Sequence, residues 1–546
     1  MGTKGTNTDV DVAVIGAGFA GIYLLHRLRQ AGFTATVLEA GDGVGGTWYW
    51  NRYPGARCDV QSMEYSFGFD EDLEQEWEWS EKYATQGEIL GYLEHVVDRF
   101  DLRAEIRLGA RVASATFDES TGTWTTETES GDRVVSRFVV TATGCLSSAN
   151  LPDIEGRDSF EGPTYHTGRW PHEGVDFTGR RVAVIGTGSS AVQSIPLIAA
   201  QAGDLTVFQR TPTYAVPAYN ELLDAERQAD VKRRYRDIRA ANRTSMAGFG
   251  AMNGVATLPR PMAELTPAER EAALEERWQI GGLGFIGAFA DTLVNPEANE
   301  VAAEFVRAKI RAIVDDPGVA ELLSPTQTIG CKRMCVDTGY YETYNRPTVH
   351  LVDISGGGIE RITPTGVVAN GVEHEVDDIV FATGFDAMTG SLDKIRIAGV
   401  DGRVLTDAWA EGPVTYLGLG VPDFPNLFLV TGPGSPSVLT NMVTSIEHHV
   451  EWIASCIDDL RRDGHDRIEA DRAAAETWVQ HVNAVAGLTL FPSCNSWYLG
   501  ANIPGKPRVF MPLPGLGTYV ATCDEVVANG YEGFSLGAAR EASAVH

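Results

Sequence analysis

Residues 9–29 read DVDVAVIGAGFAGIYLLHRLR: an apolar run, a glycine-rich turn, then a helical pattern. The run over 9–15 predicts a strand, and the pattern through Arg29 predicts a helix. Gly16, Gly18 and Gly21 stand between them at the GxGxxG spacing. In that motif the first glycine permits a tight turn, the second lets a pyrophosphate approach the backbone, and the third lets helix and strand pack closely. The N-terminus of the helix then faces the phosphates. A second strand, TATVLEA, ends at Glu39, where a carboxylate can hydrogen-bond a ribose diol. A dinucleotide-binding α/β unit is therefore expected at the start of the chain.

The signal recurs. Residues 180–191, RRVAVIGTGSSA, carry Gly186 and Gly188, with Ala191 in the third place, a permitted replacement. The strand LTVFQR follows, and Gln209 falls in the register of Glu39 with Arg210 next to it. Losing the acid relieves repulsion of a ribose 2′-phosphate, and gaining a guanidinium supplies a bidentate partner, so this second site is expected to prefer NADPH. Thr187, Ser189, Ser190 and Thr211 complete its expected lining.

At 546 residues the chain is too long for one core. Its net charge of -30 argues against a nucleic-acid partner, which a polyanionic surface would repel. No apolar run approaches the roughly 18 residues a membrane helix needs, and the polar opening residues pass straight into an apolar strand without a secretory pattern. The seven cysteines are scattered and odd in number, which predicts a reducing, cytoplasmic setting without a disulfide framework. Cys331 and Cys335 lie close together but lack a second pair or a histidine cluster, so no metal site is expected.

Between the two glycine motifs lies FEGPTYHTGRWP, Phe160 to Pro171. On its own it reads as a Gly/Pro-punctuated linker whose His166 and Trp170 fill an interface. Earlier, GGTWYWNRYPGARCD, Gly45 to Asp59, combines aromatics with turn residues, as suits an ordered loop around a flat ligand. Phe160, Gly162, His166, Trp170 and Pro171 match FxGxxxHxxxW[P/D], and Gly46, Trp48, Tyr53, Pro54, Gly55 and Asp59 match GxWxxxxYPGxxxD. On these motifs the chain resembles the type I Baeyer–Villiger monooxygenases, the family that includes phenylacetone, cyclohexanone and steroid monooxygenases.

The resemblance implies two Rossmann-like domains, one for FAD and one for NADPH, with a helical insertion in the second. The FAD domain would comprise residues 1–150 and 382–546, and the NADP domain 151–219 and 330–381. The stretch 220–329 reads as the insertion, helical and highly charged. Thr266-Pro267-Ala268-Glu269 and Asn295-Pro296 predict helix starts, and Asp316-Pro317 a stop. VVTATG ending at Gly144 and FATG ending at Gly384 are mirrored strand ends expected to lead out of and back into the first domain.

The resemblance also assigns residues. Gly46, Thr47, Trp48, Asp59, Tyr65 and Met442 would join Gly16, Gly18, Gly21 and Glu39 around FAD. Lys332 would contact the NADP phosphate, Arg333 would sit above the flavin with Asp59 as its ionic partner, and Trp497 would reach the nicotinamide nucleotide from a mobile loop near 493–517. His166 and Trp170 are expected to couple the domains, and Ser437, Val438 and Leu439 to line an apolar substrate pocket. His448 and His449 lack metal-binding spacing and are expected to pack in a core or on the surface.

The implied reaction inserts one oxygen atom of dioxygen beside the carbonyl of a small-molecule ketone, giving an ester or lactone. A flavin-dependent N- or S-oxygenase would share both nucleotide sites, but its fingerprint typically ends in Tyr or Phe where this one has Trp170-Pro171. A flavin disulfide reductase would need a redox cysteine pair after the first glycine motif, and no CxxC or CxxxxC is found there. A non-enzymatic binding module is hard to reconcile with two cofactor sites.

Overall fold

Val12, Ala13, Val14 and Ile15 are all buried, and a run apolar on both faces belongs in the middle of a parallel sheet. The computed structural model, which describes residues 7–253, 259–501, 503–506 and 515–537, places strand Asn7–Ile15 there. It pairs in parallel with Ala35–Leu38 on one side and Arg133–Thr141 on the other. The eight-stranded sheet runs Arg396–Ala398, Val112–Asp118, Thr123–Thr128, Arg133–Thr141, Asn7–Ile15, Ala35–Leu38, Ile106–Arg107. Its eighth strand, Leu427–Leu429, arrives from the far end of the chain to pair with Arg133–Thr141. Helix Met442–Asp463 packs on helix Phe19–Gln30, and Leu24, Leu28, Val450 and Ile453 share one core.

The second sheet is parallel throughout, in the order Val349–Asp353, Asp204–Gln209, Arg181–Ile185, Asp378–Phe381, Thr164–His166. Both sheets change winding direction beside the strand that feeds a glycine turn, the place where open α/β sheets leave a crevice for ligands. The fold is thus mixed α/β with two largely parallel sheets.

Helices Ala225–Thr244, Pro267–Ile280, Pro296–Ile313 and Pro317–Leu323 lie between strands of the second sheet in sequence. Ala225–Thr244 nevertheless packs Val231, Tyr235 and Ile238 into the core of the first sheet, while Trp278, Val306 and Ile310 pack with the second. Arg239 pins that first helix by donating to Glu74 at 2.9 Å and to the Glu64 carbonyl at 3.1 Å.

Thr266 and Glu269 form the expected capping box, and Asn295 caps Pro296–Ile313. Asp316-Pro317 needs correction: Asp316 accepts from the backbone N–H of Gly318 and Val319 and so starts a helix, because proline at the first position loses no helical hydrogen bond. The expectation of no disulfide is also corrected. Cys331 and Cys494 are bonded, brought together by the fold across 163 residues; the other five cysteines are free and buried. The loop expected over 493–517 ends at 515, where helix Leu516–Ala528 begins; residues 502 and 507–514 of it lie outside the described residues.

Candidate functional site

Each glycine turn sits against the end of the neighbouring strand. Gly16 has φ +107°, and a Cβ there would lie 2.6 Å from the Ala142 carbonyl oxygen; Gly186 repeats this with φ +109° and 2.5 Å to the oxygen of Ala382. Only glycine fits either position. Gly18 and Gly188 precede helices Phe19–Gln30 and Ser189–Gln201, whose first turns have no side-chain cap and leave backbone N–H groups for an anion. Gly46 lies against Gly18. Glu39 is buried, its carboxylate accepting from Ala17 N and Gly41 N, both at 2.7 Å. Acceptor capacity is left over for a diol.

At the second turn the Thr187 hydroxyl donates to the Thr211 carbonyl at 2.9 Å, and Ser190 lies 3.2 Å from Thr167 in the central stretch. Gln209, in the acid's register, turns away and donates to the Leu322 carbonyl at 2.7 Å. Arg210 is exposed and Lys332 half-buried. Burial, then the charge of Arg210, lower the Lys332 pKa. Two cations that repel one another and have no ion-pair partner among the described residues fit a bound phosphate dianion.

The ion pair of the site spans the two units. Asp59, on the loop after Pro54, accepts from Arg333 Nε at 2.5 Å and from Nη2 at 2.9 Å, and Arg333 Nη1 donates to the Val438 carbonyl at 2.6 Å. Burial pulls the guanidinium pKa down, but the charge and hydrogen bonds of Asp59 outweigh it and the net shift is upward. Arg333 is a permanent cation. The loop is docked by Gly55, φ +80°, where a Cβ would be 2.3 Å from the Gln193 carbonyl oxygen. Tyr53 donates to the Gln193 side chain at 2.7 Å, which itself donates to the Arg57 carbonyl at 3.0 Å. Nearby, Trp48 Nε1 donates to the Tyr65 hydroxyl at 3.3 Å, and Thr47 opens the short helix that carries Trp48.

Val438 and Leu439 pack with Met442 and Trp497 in one apolar cluster that also contains Cys145, Met388 and Tyr498. Ser437 is fully buried, with φ +43°. Sequence reasoning missed Cys145, Met388 and Tyr498, although a signal existed: Cys145 and Met388 closely follow the two mirrored strand ends, and Tyr498 adjoins Trp497.

His166 sits where the two linkers cross. Its Nδ1 accepts from Gly168 N at 2.9 Å, so the neutral ring carries its proton on Nε2, which lies 3.3 Å from the Asn150 carbonyl. Asn150 N in turn donates to the Gly384 carbonyl at 2.9 Å, and the Thr383 hydroxyl to the Asn150 carbonyl at 2.6 Å. Burial lowers the His166 pKa. Trp170 is placed differently, buried against Tyr165 and Phe177 in the second core. His448 and His449 are buried in helix Met442–Asp463, and no metal-binding cluster occurs among the described residues.

The family described as "Pyridine nucleotide-disulphide oxidoreductase" matches residues 13–247. A "Baeyer-Villiger monooxygenase" of Pseudooceanicola batsensis is 41% identical over 97% of this chain and 96% of its own. The "Phenazine N-monooxygenase PhzNO1" of Lysobacter antibioticus is 42% identical over 97% of both chains. Among solved structures, "Oxidized steroid monooxygenase bound to NADP" is 53% identical with a TM-score of 0.92, covering 97% of this chain and 100% of that one.

Proposed function

The chain belongs to the Baeyer–Villiger monooxygenase family and is an FAD- and NADPH-dependent flavoprotein that inserts one oxygen atom of dioxygen beside a ketone carbonyl, and from that premise we propose that Arg333 is the cation on which insertion depends. The sheet containing Asn7–Ile15 is assigned to FAD and the sheet containing Arg181–Ile185 to NADPH, with the helices of 225–323 as the insertion. FAD would be held by Gly16, Gly18, Gly21, Glu39, Gly46, Thr47, Trp48, Asp59, Tyr65 and Met442, and NADPH by Gly186, Thr187, Gly188, Ser189, Ser190, Arg210, Thr211, Lys332 and Trp497. When bound, the flavin supplies the reduction of dioxygen and the oxygen transfer, with NADPH as hydride source.

Arg333 favours negative charge developing on oxygen without acting as an acid, because a guanidinium does not release its proton. Asp59 fixes the plane of that guanidinium and tempers its charge. The apolar wall of Val438, Leu439 and Met388 excludes water from the same volume. His166, bonded at both linkers, couples movement of the two units. A cytoplasmic location remains part of the proposal, in keeping with five free, buried cysteines.

The observation that carries this assignment is the bidentate Arg333–Asp59 pair, which joins one residue from each unit at the apolar cluster. Product analysis of FAD-loaded protein with NADPH, dioxygen and a panel of ketones tests it. Wild type should give ester or lactone, and Arg333→Ala should lose about 10²–10³ in insertion rate while NADPH still reduces the flavin. Ester formation by Arg333→Ala at the wild-type rate would remove Arg333 from its role. A nitrogen heteroaromatic in the panel checks the N-oxygenase activity named for the Lysobacter relative.

A further inference from the structure

Cys331 precedes Lys332 and Arg333 directly, and Cys494 lies three residues before Trp497; the two are joined by a disulfide. A covalent link therefore ties the strand entrance that carries both site cations to the root of the turn that carries Trp497 and Tyr498. Weaker bonds repeat the attachment at that root: Ser493 donates to the Thr328 hydroxyl at 2.8 Å, and Leu490 N to the Leu293 carbonyl at 2.8 Å. Further along, Lys506 pairs with Asp386 and donates to the Ala387 carbonyl at 2.9 Å. Between these attachments Tyr498 is buried in the cluster with Val438, whose carbonyl holds Arg333. The two hydrogen bonds at that root are neutral and each of modest net strength, so the disulfide is its one covalent attachment among the described residues.

The two sulfurs are unequally placed. Cys331 is 1% exposed, whereas Cys494 is half-buried and open to a small reagent. The other five cysteines are buried and unpaired.

We propose that Cys331 and Cys494 form a thiol–disulfide modification site that controls how firmly the Trp497–Leu499 turn is held over the nicotinamide nucleotide. The site rests on the placement of Trp497 at that nucleotide. In the oxidising direction the Cys494 thiolate attacks hydrogen peroxide and hydroxide leaves, giving a sulfenic acid. The Cys331 thiol then attacks that sulfur and water leaves, so two thiols and one peroxide become one disulfide and two waters. A small dithiol reverses the change through a mixed disulfide and is itself oxidised. Hydrogen peroxide is what an oxygenase releases when NADPH is consumed without insertion, so leakage closes the tether and the tether reduces leakage.

The experiment uses full-length, FAD-loaded protein treated with hydrogen peroxide or with dithiothreitol and then desalted. Thiol titration in denaturant should find five thiols in the first form and seven in the second, as seven cysteines with one disulfide require. The reduced form should bind NADP+ about fivefold or more weakly and release a larger share of its reducing equivalents as peroxide. Cys494→Ser should match the reduced form after either treatment, with no further effect of dithiothreitol. Seven thiols after peroxide treatment would overturn the proposal. Equal NADP+ affinity in both forms, alongside weakened affinity in Trp497→Ala, would overturn the tether and leave Trp497 in its role. Unchanged affinity in Trp497→Ala would overturn both.

Discussion

Asp59→Ala should separate two activities that the wild-type protein runs together. The carboxylate accepts two charge-assisted hydrogen bonds from Arg333, at 2.5 and 2.9 Å, each worth about 1.5–3 kcal/mol. Both side chains are 18% exposed, and Arg333 keeps its bond to the Val438 carbonyl, so the lower end of the sum, about 3 kcal/mol, is the loss expected in holding the guanidinium. At about 1.4 kcal/mol per decade, ester formation should fall about 10²-fold. Flavin reduction by NADPH needs no oxygen insertion and should stay near the wild-type rate. Stopped-flow absorbance of the flavin measures the reduction, and chromatography of the ester measures the insertion. Asp59→Asn, which keeps one acceptor oxygen and loses the charge, should fall between the two. Ester formation by Asp59→Ala within about threefold of wild type would refute the claim that Asp59 positions Arg333, because a loss of about 3 kcal/mol could not be hidden in that range.

Arg210→Ala should raise the KM for NADPH about tenfold and leave that for NADH nearly unchanged, as one charge-assisted contact to a 2′-phosphate implies; an equal change for both nucleotides would place Arg210 outside the phosphate site. His166→Ala should lower the ester formed per NADPH consumed while NADPH affinity is retained, and unchanged coupling would reduce His166 to packing. Glu447 is a pH test: burial first, against the charge of Arg239, pushes its carboxyl up to about 7. A folded-state pKa above the unfolded value means that this stabilising contribution is fully present below about pH 4.5 and is lost as pH rises through about 7. Glu447→Gln should therefore stabilise the protein at pH 8 by about 3 kcal/mol and flatten the pH dependence of Tm between about 5 and 8; an unaltered profile would show that Glu447 does not titrate there.

Both nucleotide turns were legible because their glycines answer to local geometry: a strand, a tight turn and a helix lie within some twenty residues, and each motif lies in the sequence as it lies in space. Arg210 stands out by register against Glu39, and the closeness of Lys332 to it appears only in the fold. The bond between Cys331 and Cys494 was illegible, since a pairing across 163 residues leaves no mark on either neighbourhood, and the odd cysteine count pointed the other way. Gly55 reads as a turn glycine. That its missing side chain admits the carbonyl of Gln193 depends on how the two units meet. The insertion illustrates the same limit: its helix starts at Thr266 and Asn295 are local signals, whereas the attachment of Ala225–Thr244 to the first core is a tertiary choice.

The carbonyls of Ala142 and Ala382 that press against Gly16 and Gly186 also mark where the chain leaves each sheet for the paired segments at Asn150 and Gly384. The pivot of any relative rotation therefore starts beside both glycine turns. Atoms close to an axis sweep short arcs and atoms far from it sweep long ones. Swinging one unit against the other would leave the two glycine turns nearly stationary, together with the Trp497 turn packed on Cys145 and Met388 beside the linkers, while helices far from the axis travel furthest. On the proposed assignment, such a joint would let both cofactors stay seated while one unit moves against the other.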